Sequence, residues 1–172
     1  IYLPGSSLKG VIREGATQIA SRWFPGWTEI SDPFDNVLEA WSKRTGKRSG
    51  LELFNQAGPI ERCFGIAGLQ GRWKIEDAFP PAPPRIASRT NVAIDRNTGT
   101  ARDGHLFTIK AVESGSFTTT ISLVNYELWQ LGLLAHTLHQ MDTGVVRIGY
   151  GKQRGYGRVN ISVTSMGFRW LG

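Results

Sequence analysis

Cysteine occurs once, as Cys63, in 172 residues, so no internal disulfide and no cysteine-based zinc cluster can be built. Such sparse thiol is compatible with a reducing cytoplasm. Long apolar runs are missing too. No stretch approaches the ~20 residues that cross a bilayer, and no signal-peptide pattern opens the chain. There is no tandem repeat, no Gly-Lys-Ser/Thr ending of a Walker loop, and no nucleophile-elbow pattern around a serine. Carboxylates stop at Asp142, after which Arg147, Lys152, Arg154, Arg158 and Arg169 follow without a counter-charge. The first residue is Ile1, not Met. Ile1-Tyr2-Leu3 is a strand-like stub running into Pro4-Gly5, so the chain is expected to begin in mid-fold.

What is present is an ordinary globular composition. With 40% hydrophobic and 20% charged residues, wholesale disorder is excluded, and the length suits one domain. The balance is basic: 20 Lys and Arg against 14 Asp and Glu give +6 and a pI near 9.8. An acid-free basic tail creates a positive field whose natural partner is a polyanion, although a solvated basic face has the same composition.

Pro4-Gly5-Ser6-Ser7 predicts a turn and then a helix, with Ser6 or Ser7 as its N-cap. Leu8, Val11, Ile12, Gly15, Ile19 and Trp23 recur at helical spacing, which assigns Trp23 to the core, and Pro25-Gly26 stops the helix. Residues 27–60 read as a neutral insertion, with a short helix around Val37, Leu38 and Trp41 and a loop at Thr45–Gly50. A strand is expected at Arg72–Glu76, followed by a stiff connector where Phe79–Pro84 holds four of the eight prolines. Arg89–Asp95 and Ala101–Phe107, joined by Asn97-Thr98-Gly99, predict a hairpin. Leu106–Val112 and Ser116–Leu123 predict another, joined at Glu113-Ser114-Gly115. A second long helix is expected from Tyr126, capped by Asn125, to Asp142, with Leu131, Leu134, Ala135, Leu138 and Met141 as its core stripe. A last strand is expected at about Val159–Val163, extending towards Phe168-Arg169-Trp170. With one strand added before Ile1 the order becomes βαββαβ, the ferredoxin-like arrangement that RNA-recognition domains share.

Two segments carry the chemistry. Gly149–Arg158 combines four glycines, three cations and two tyrosines. Glycines allow close approach and positive φ, cations suit phosphates, and Tyr150 and Tyr156 could stack on bases. A plain glycine-rich turn on a basic surface would look the same. Pro4–Gly10 is the second segment: a helix start offers unpaired N–H groups, and Lys9 and Arg13 add charge. By itself such a helix start is commonplace.

Together, PGSSLKGVIR at residues 4–13 and GYGKQRGYGRV at 149–159 resemble the RAMP superfamily of CRISPR-associated proteins. The closest likeness is to the repeated backbone subunit of type III effector complexes. Arg62-Cys63-Phe64-Gly65, Gly71-Arg72-Trp73, Asp77-Ala78 and Val92–Ala101 support it in the expected order.

The resemblance implies a single α+β RAMP-type domain over residues 1–172. It would be a ferredoxin-like (RRM-like) βαββαβ palm with insertions, 27–60 among them, and its first strand largely missing. A β-hairpin thumb at about 85–107 would carry Arg89, Arg96 and Arg102. The guide-RNA backbone would lie against Ser6, Ser7, Lys9 and Arg13 of the helix start. It would also lie against Gly149, Gly151, Lys152, Arg154, Gly155, Tyr156, Gly157 and Arg158 of the loop. The implied function is that of a guide-RNA-binding subunit in antiviral defence, in the prokaryotic cytoplasm. The implied partners are guide RNA, target RNA, copies of itself in a head-to-tail filament and other effector subunits, with no membrane.

Target cleavage in this family uses an acid in a loop that would lie upstream of Ile1, so the catalytic residue is unknown here. Asp95, which matches a thumb position, is not a substitute. No metal ligand is assigned and no cofactor is expected in this chain. A divalent metal such as Mg2+ is expected only if the full protein cleaves RNA. Two alternatives stay open: a metal-dependent endoribonuclease acting on the guide-paired target, and a CRISPR-unrelated RNA-binding module of the same fold. His136 and His139, one helical turn apart without Glu or Cys, read as packing or surface residues, and His105 near Asp103 as structural.

Overall fold

The computed structural model describes residues 1–23, 50–66 and 68–169. The expected helix at Val37–Trp41, the loop through residue 49, the Pro25-Gly26 stop and Trp170 lie outside them. The chain is α+β and divides into two compact units, Ile1–Leu3 with Asp77–Thr120, and Pro4–Glu76 with Ile121–Gly172.

The larger unit is built on two helices and a short sheet. Helix α1 runs Gly5–Trp23 and buries Leu8, Ile12, Gly15, Ala16, Ile19 and Ala20, the stripe expected from the sequence. Its start differs from expectation. The helix begins at Gly5, where Pro4 O accepts the Leu8 N–H at 3.0 Å. Ser6 and Ser7 are therefore exposed residues of the first turn rather than caps. A Cβ at Gly5 would overlap the Ile75 carbonyl oxygen, so only glycine lets the helix start this close to the strand. Trp23 is also corrected: it is 52% exposed, and its ring lies against His136, because the stripe has rotated off the core by the last turn.

Two short helices follow, α2 (Gly50–Gln56) and α3 (Pro59–Phe64), with Pro59 in the first turn of α3 and the Glu61 carboxylate accepting the Gly58 N–H. Strands β1 (Gly65–Ile66) and β2 (Leu69–Gln70) form a tight hairpin. Strand β3 (Trp73–Ile75) pairs antiparallel with a later strand, Ile121–Leu123, in the register Trp73↔Leu123 and Ile75↔Ile121. Trp73 is fully buried, 4.8 Å from the Phe64 ring, in a core with Ile12, Ala16, Ile19, Ile60, Cys63, Leu133, Leu134, Met141 and Val146.

The smaller unit holds the connector and one long hairpin. Leu3 bridges Ala78 and Phe79 bridges Thr118. Strands β4 (Arg85–Ile94) and β5 (Ala101–Ser114) form one long antiparallel ladder whose register shifts between Arg85 and Ile86 and between Val92 and Ile94. The strand expected at Leu106–Val112 is therefore part of the returning arm of this hairpin, not half of a second one. Ile86 faces Val112 and Val92 faces Leu106, so cross-strand β-branched and aliphatic pairs extend the ladder well past Phe107. The strand expected at Ser116–Leu123 shortens to β6 (Ile121–Leu123).

Helix α4 runs Leu128–Asp142. Its cap is Glu127, not Asn125, which has φ 49°. Gln130 Oε1 accepts the Glu127 N–H at 3.0 Å, one half of a capping box. The buried stripe is Gln130, Leu133, Leu134, Thr137 and Met141, turned from the expected one: Ala135 is exposed and Leu131 half-buried. Two polar residues go inward: Gln130, whose Oε1 accepts the capping bond while its Nε2 is buried without a hydrogen-bond partner among the described residues, and Thr137, which donates to Leu133 O at 2.7 Å. The segment at 159–163 carries no regular secondary structure and no ladder among the described residues. Val159 and Ile161 pack on the core, and Ile161 N–H donates to Asp142 Oδ1 at 2.8 Å. A strand needs a hydrogen-bonded neighbour to become part of a sheet, and none of the described strands pairs with it.

Candidate nucleic-acid interface

The loop at 149–158 belongs to the larger unit. Its four glycines, Gly149, Gly151, Gly155 and Gly157, all take left-handed backbone, with φ of 72°, 74°, 87° and 82°. Between Gly151 and Gly155, Lys152–Arg154 make a single 3-10 turn. Alternation of right- and left-handed backbone makes concave sites that favour anions. The turn is buttressed from behind by Arg147, whose Nε donates to Gly144 O at 3.2 Å and whose Nη1 donates to Lys152 O at 2.9 Å. Ile148 N–H closes the loop onto Gly157 O at 2.9 Å.

Each cation here has its own surroundings. Lys152 Nζ meets Glu14 Oε2 of α1 at 3.0 Å, a half-exposed pair of modest worth. The Arg154 guanidinium lies 5.8 Å from the Tyr150 ring centre, its Nη1 3.5 Å from the phenol oxygen. Arg158 is exposed and lies along Gly144. Tyr150 is 74% exposed, whereas Tyr156 is half-buried with its ring close against Gly151.

The helix-start residues divide. Lys9 and Arg13 share a face of α1 one turn apart, but Arg13 points to the β1–β2 hairpin, its Nη1 donating to Gly65 O at 3.4 Å. Its Nη2 is enclosed without a hydrogen-bond partner. Burial lowers the Lys9 ammonium from its ordinary value, and the Arg13 charge lowers it further. Two like charges so placed favour an anion. The structure thus brings Lys152 to α1 through Glu14, and sends Arg13 to another side of that helix.

In the smaller unit, Glu113 stands between two arginines, 3.0 Å from Arg85 and 3.6 Å from Arg89. Arg96 is in the turn of the hairpin, where Asp95 Oδ1 accepts the N–H groups of Asn97 and Thr98. Those bonds hold the Asp95 carboxyl below its ordinary value. The side chains of Arg102, Asp103 and His105 lie outside the described residues.

Cys63, Glu127 and His136 belong to the packing of the larger unit. Burial pushes the Cys63 thiol up to about 12. Glu127 accepts the Trp129 indole N–H and pairs with Arg72 at 2.9 Å, and these hold its carboxyl below the usual range. His136 contacts the Trp23 ring and Gln140. Among the described residues no group of three or more His, Cys, Asp or Glu could hold a metal ion. No helix among them is long and apolar enough to cross a membrane.

Sequence reasoning missed Glu14 and Arg147 as parts of this face. Arg147 was visible as a cation of the acid-free tail. Glu14 gave no signal, because its partner is 138 residues away.

An α+β chain that holds a cationic loop of left-handed glycines against the first helix has the features of a nucleic-acid-binding protein. The profile of the RAMP superfamily matches residues 1–160, and the chain belongs to that superfamily, whose members are CRISPR-associated RNA-binding proteins. No curated protein matches the sequence.

Proposed function

We propose that this chain is a guide-RNA-binding backbone subunit of a type III CRISPR ribonucleoprotein, acting in antiviral defence in the prokaryotic cytoplasm. The observation that carries the proposal is the loop at 149–158, where four left-handed glycines and a buttressed turn present Lys152, Arg154 and Arg158. Such a surface recognises a strand by its phosphates, without reading sequence. Ser6, Ser7, Lys9 and Arg13 form a second contact to the same strand. Arg89, Arg96 and Arg102 of the long hairpin contribute as a thumb near phosphates of the guide–target duplex. Copies of the chain stack head to tail, alongside other effector subunits.

The proposal is for binding. No residue of this sequence is assigned to cleavage, and a divalent metal enters the reading only if the RNA is cleaved. The test is to purify the protein from its native host and sequence the RNA it carries. Guide RNAs with repeat-derived ends are expected. A mixture of unrelated cellular RNAs would overturn the CRISPR assignment in favour of a general RNA-binding module. Recovery of no RNA, with no salt-dependent RNA affinity, would overturn RNA binding itself.

A further inference from the structure

Glu14 is the only carboxylate in residues 1–23 and 143–172, the two stretches that hold the helix start and the glycine-rich loop, and those stretches carry eight Lys and Arg. That single acid lies on a cation of the loop, its Oε2 3.0 Å from Lys152 Nζ. We infer that Glu14 stands in for a phosphate: it holds Lys152 in the unbound protein and gives it up to the RNA backbone on binding. Glu14 therefore lowers affinity for every strand, whatever its sequence. The inference rests on the RNA-binding reading and names a residue that sets its strength.

Both partners are placed by the elements that carry them. Gly15 follows Glu14 on α1, and a Cβ there would fall 3.0 Å from Val146 Cγ2 and 3.1 Å from Thr137 Cγ2. Helix α1 thus lies close against the segment that leads into the loop. At the other end, Arg147 Nη1 donates to Lys152 O at 2.9 Å and anchors the turn. The pair between them is open to solvent. The Lys152 side chain is 37% exposed and that of Glu14 57%, and both line an open depression of about 250 Å³. An ammonium so placed donates equally well to a carboxylate oxygen or to a phosphate oxygen.

The energetics favour exchange over a shared ammonium. A solvent-exposed ion pair contributes at most about fivefold to an equilibrium constant, so a phosphate displaces the carboxylate readily. Lys152 has hydrogens enough for both acceptors, but two anions on one ammonium repel each other. Once the strand is seated, Glu14 is left without Lys152 and takes a cation from solution. That uptake offsets part of the counterion release that the Lys152 contact contributes.

The test is fluorescence anisotropy of the full chain with labelled single-stranded homopolymers of A, C and U over a range of salt. Glu14→Gln removes the charge and keeps the side-chain shape. It should tighten binding about two- to fivefold, equally for the three RNAs. It should also steepen the log–log salt slope by up to about 0.7, the share of one phosphate contact. In a Lys152→Ala background the same substitution should change affinity much less, because no pair is left to exchange. An equal gain in both backgrounds would make Glu14 a distant like charge and overturn the exchange. Unchanged or weaker binding by the Glu14→Gln protein, or a gain confined to one RNA, would overturn it too. Failure of the unsubstituted protein to bind any of the three would instead overturn the RNA-binding reading.

Discussion

Gly157 carries the tightest steric constraint in the cationic loop. A Cβ there would overlap the Ile148 carbonyl oxygen, and φ is 82°. At Gly155 φ is similar, 87°, but nothing lies within 4 Å of the added atom. Gly155→Ala should therefore cost only the left-handed backbone penalty, about 1–2 kcal/mol. Gly157→Ala should cost more, because the closure to Ile148 must also shift; urea unfolding of the two variants checks the order. Cys63 gives a second residue-scale prediction. Its folded value of about 12 lies above its ordinary 9.0. Its contribution to stability is thus complete below pH 9.0 and is lost as pH rises towards 12. Cys63→Ala should flatten the alkaline limb of the stability profile, and the native thiol should react with disulfide reagents only on unfolding. The glycines were legible in the sequence because composition alone marks a loop that needs positive φ. The Glu14–Lys152 pair was not, since no local pattern links residues so far apart.

Among the elements, α1 was the most legible, because its stripe is apolar from Leu8 to Ile19. The phase of α4 was hidden, because its buried face includes Gln130 and Thr137, two residues that polarity assigns to solvent. The capping bond to Gln130 Oε1 and the bond from Thr137 to the Leu133 carbonyl let those two side chains turn inward, which hydropathy alone does not signal. The long β5 arm was hidden for another reason: its alternation continues across Phe107 without a turn residue, so its partner could be found only in the ladder itself. Trp73 anchors the short β3–β6 pair at full burial. Trp73→Ala should destabilise the larger unit by about 3–5 kcal/mol, read by chemical denaturation. At the α4 start, the lowered Glu127 carboxyl stabilises the native state above its ordinary value and loses that effect as pH falls through its folded value. Glu127→Gln should accordingly weaken the acid dependence of stability.

At the scale of the whole molecule, the net charge of +6 acquires a location. The acid-free stretch after Asp142 supplies Arg147 to brace the loop and Lys152, Arg154 and Arg158 to line it. RAMP superfamily membership over residues 1–160 sets that loop in an RNA-binding context. The most direct measurement is the salt dependence of RNA affinity for the unsubstituted chain and for Arg154→Ala with Arg158→Ala. Each phosphate contact on single-stranded RNA contributes about 0.7 to the log–log slope. The double substitution should flatten that slope by about 1.4 and weaken binding to the same degree for every sequence. An unchanged slope, or a loss confined to particular sequences, would contradict recognition of the RNA backbone by this loop.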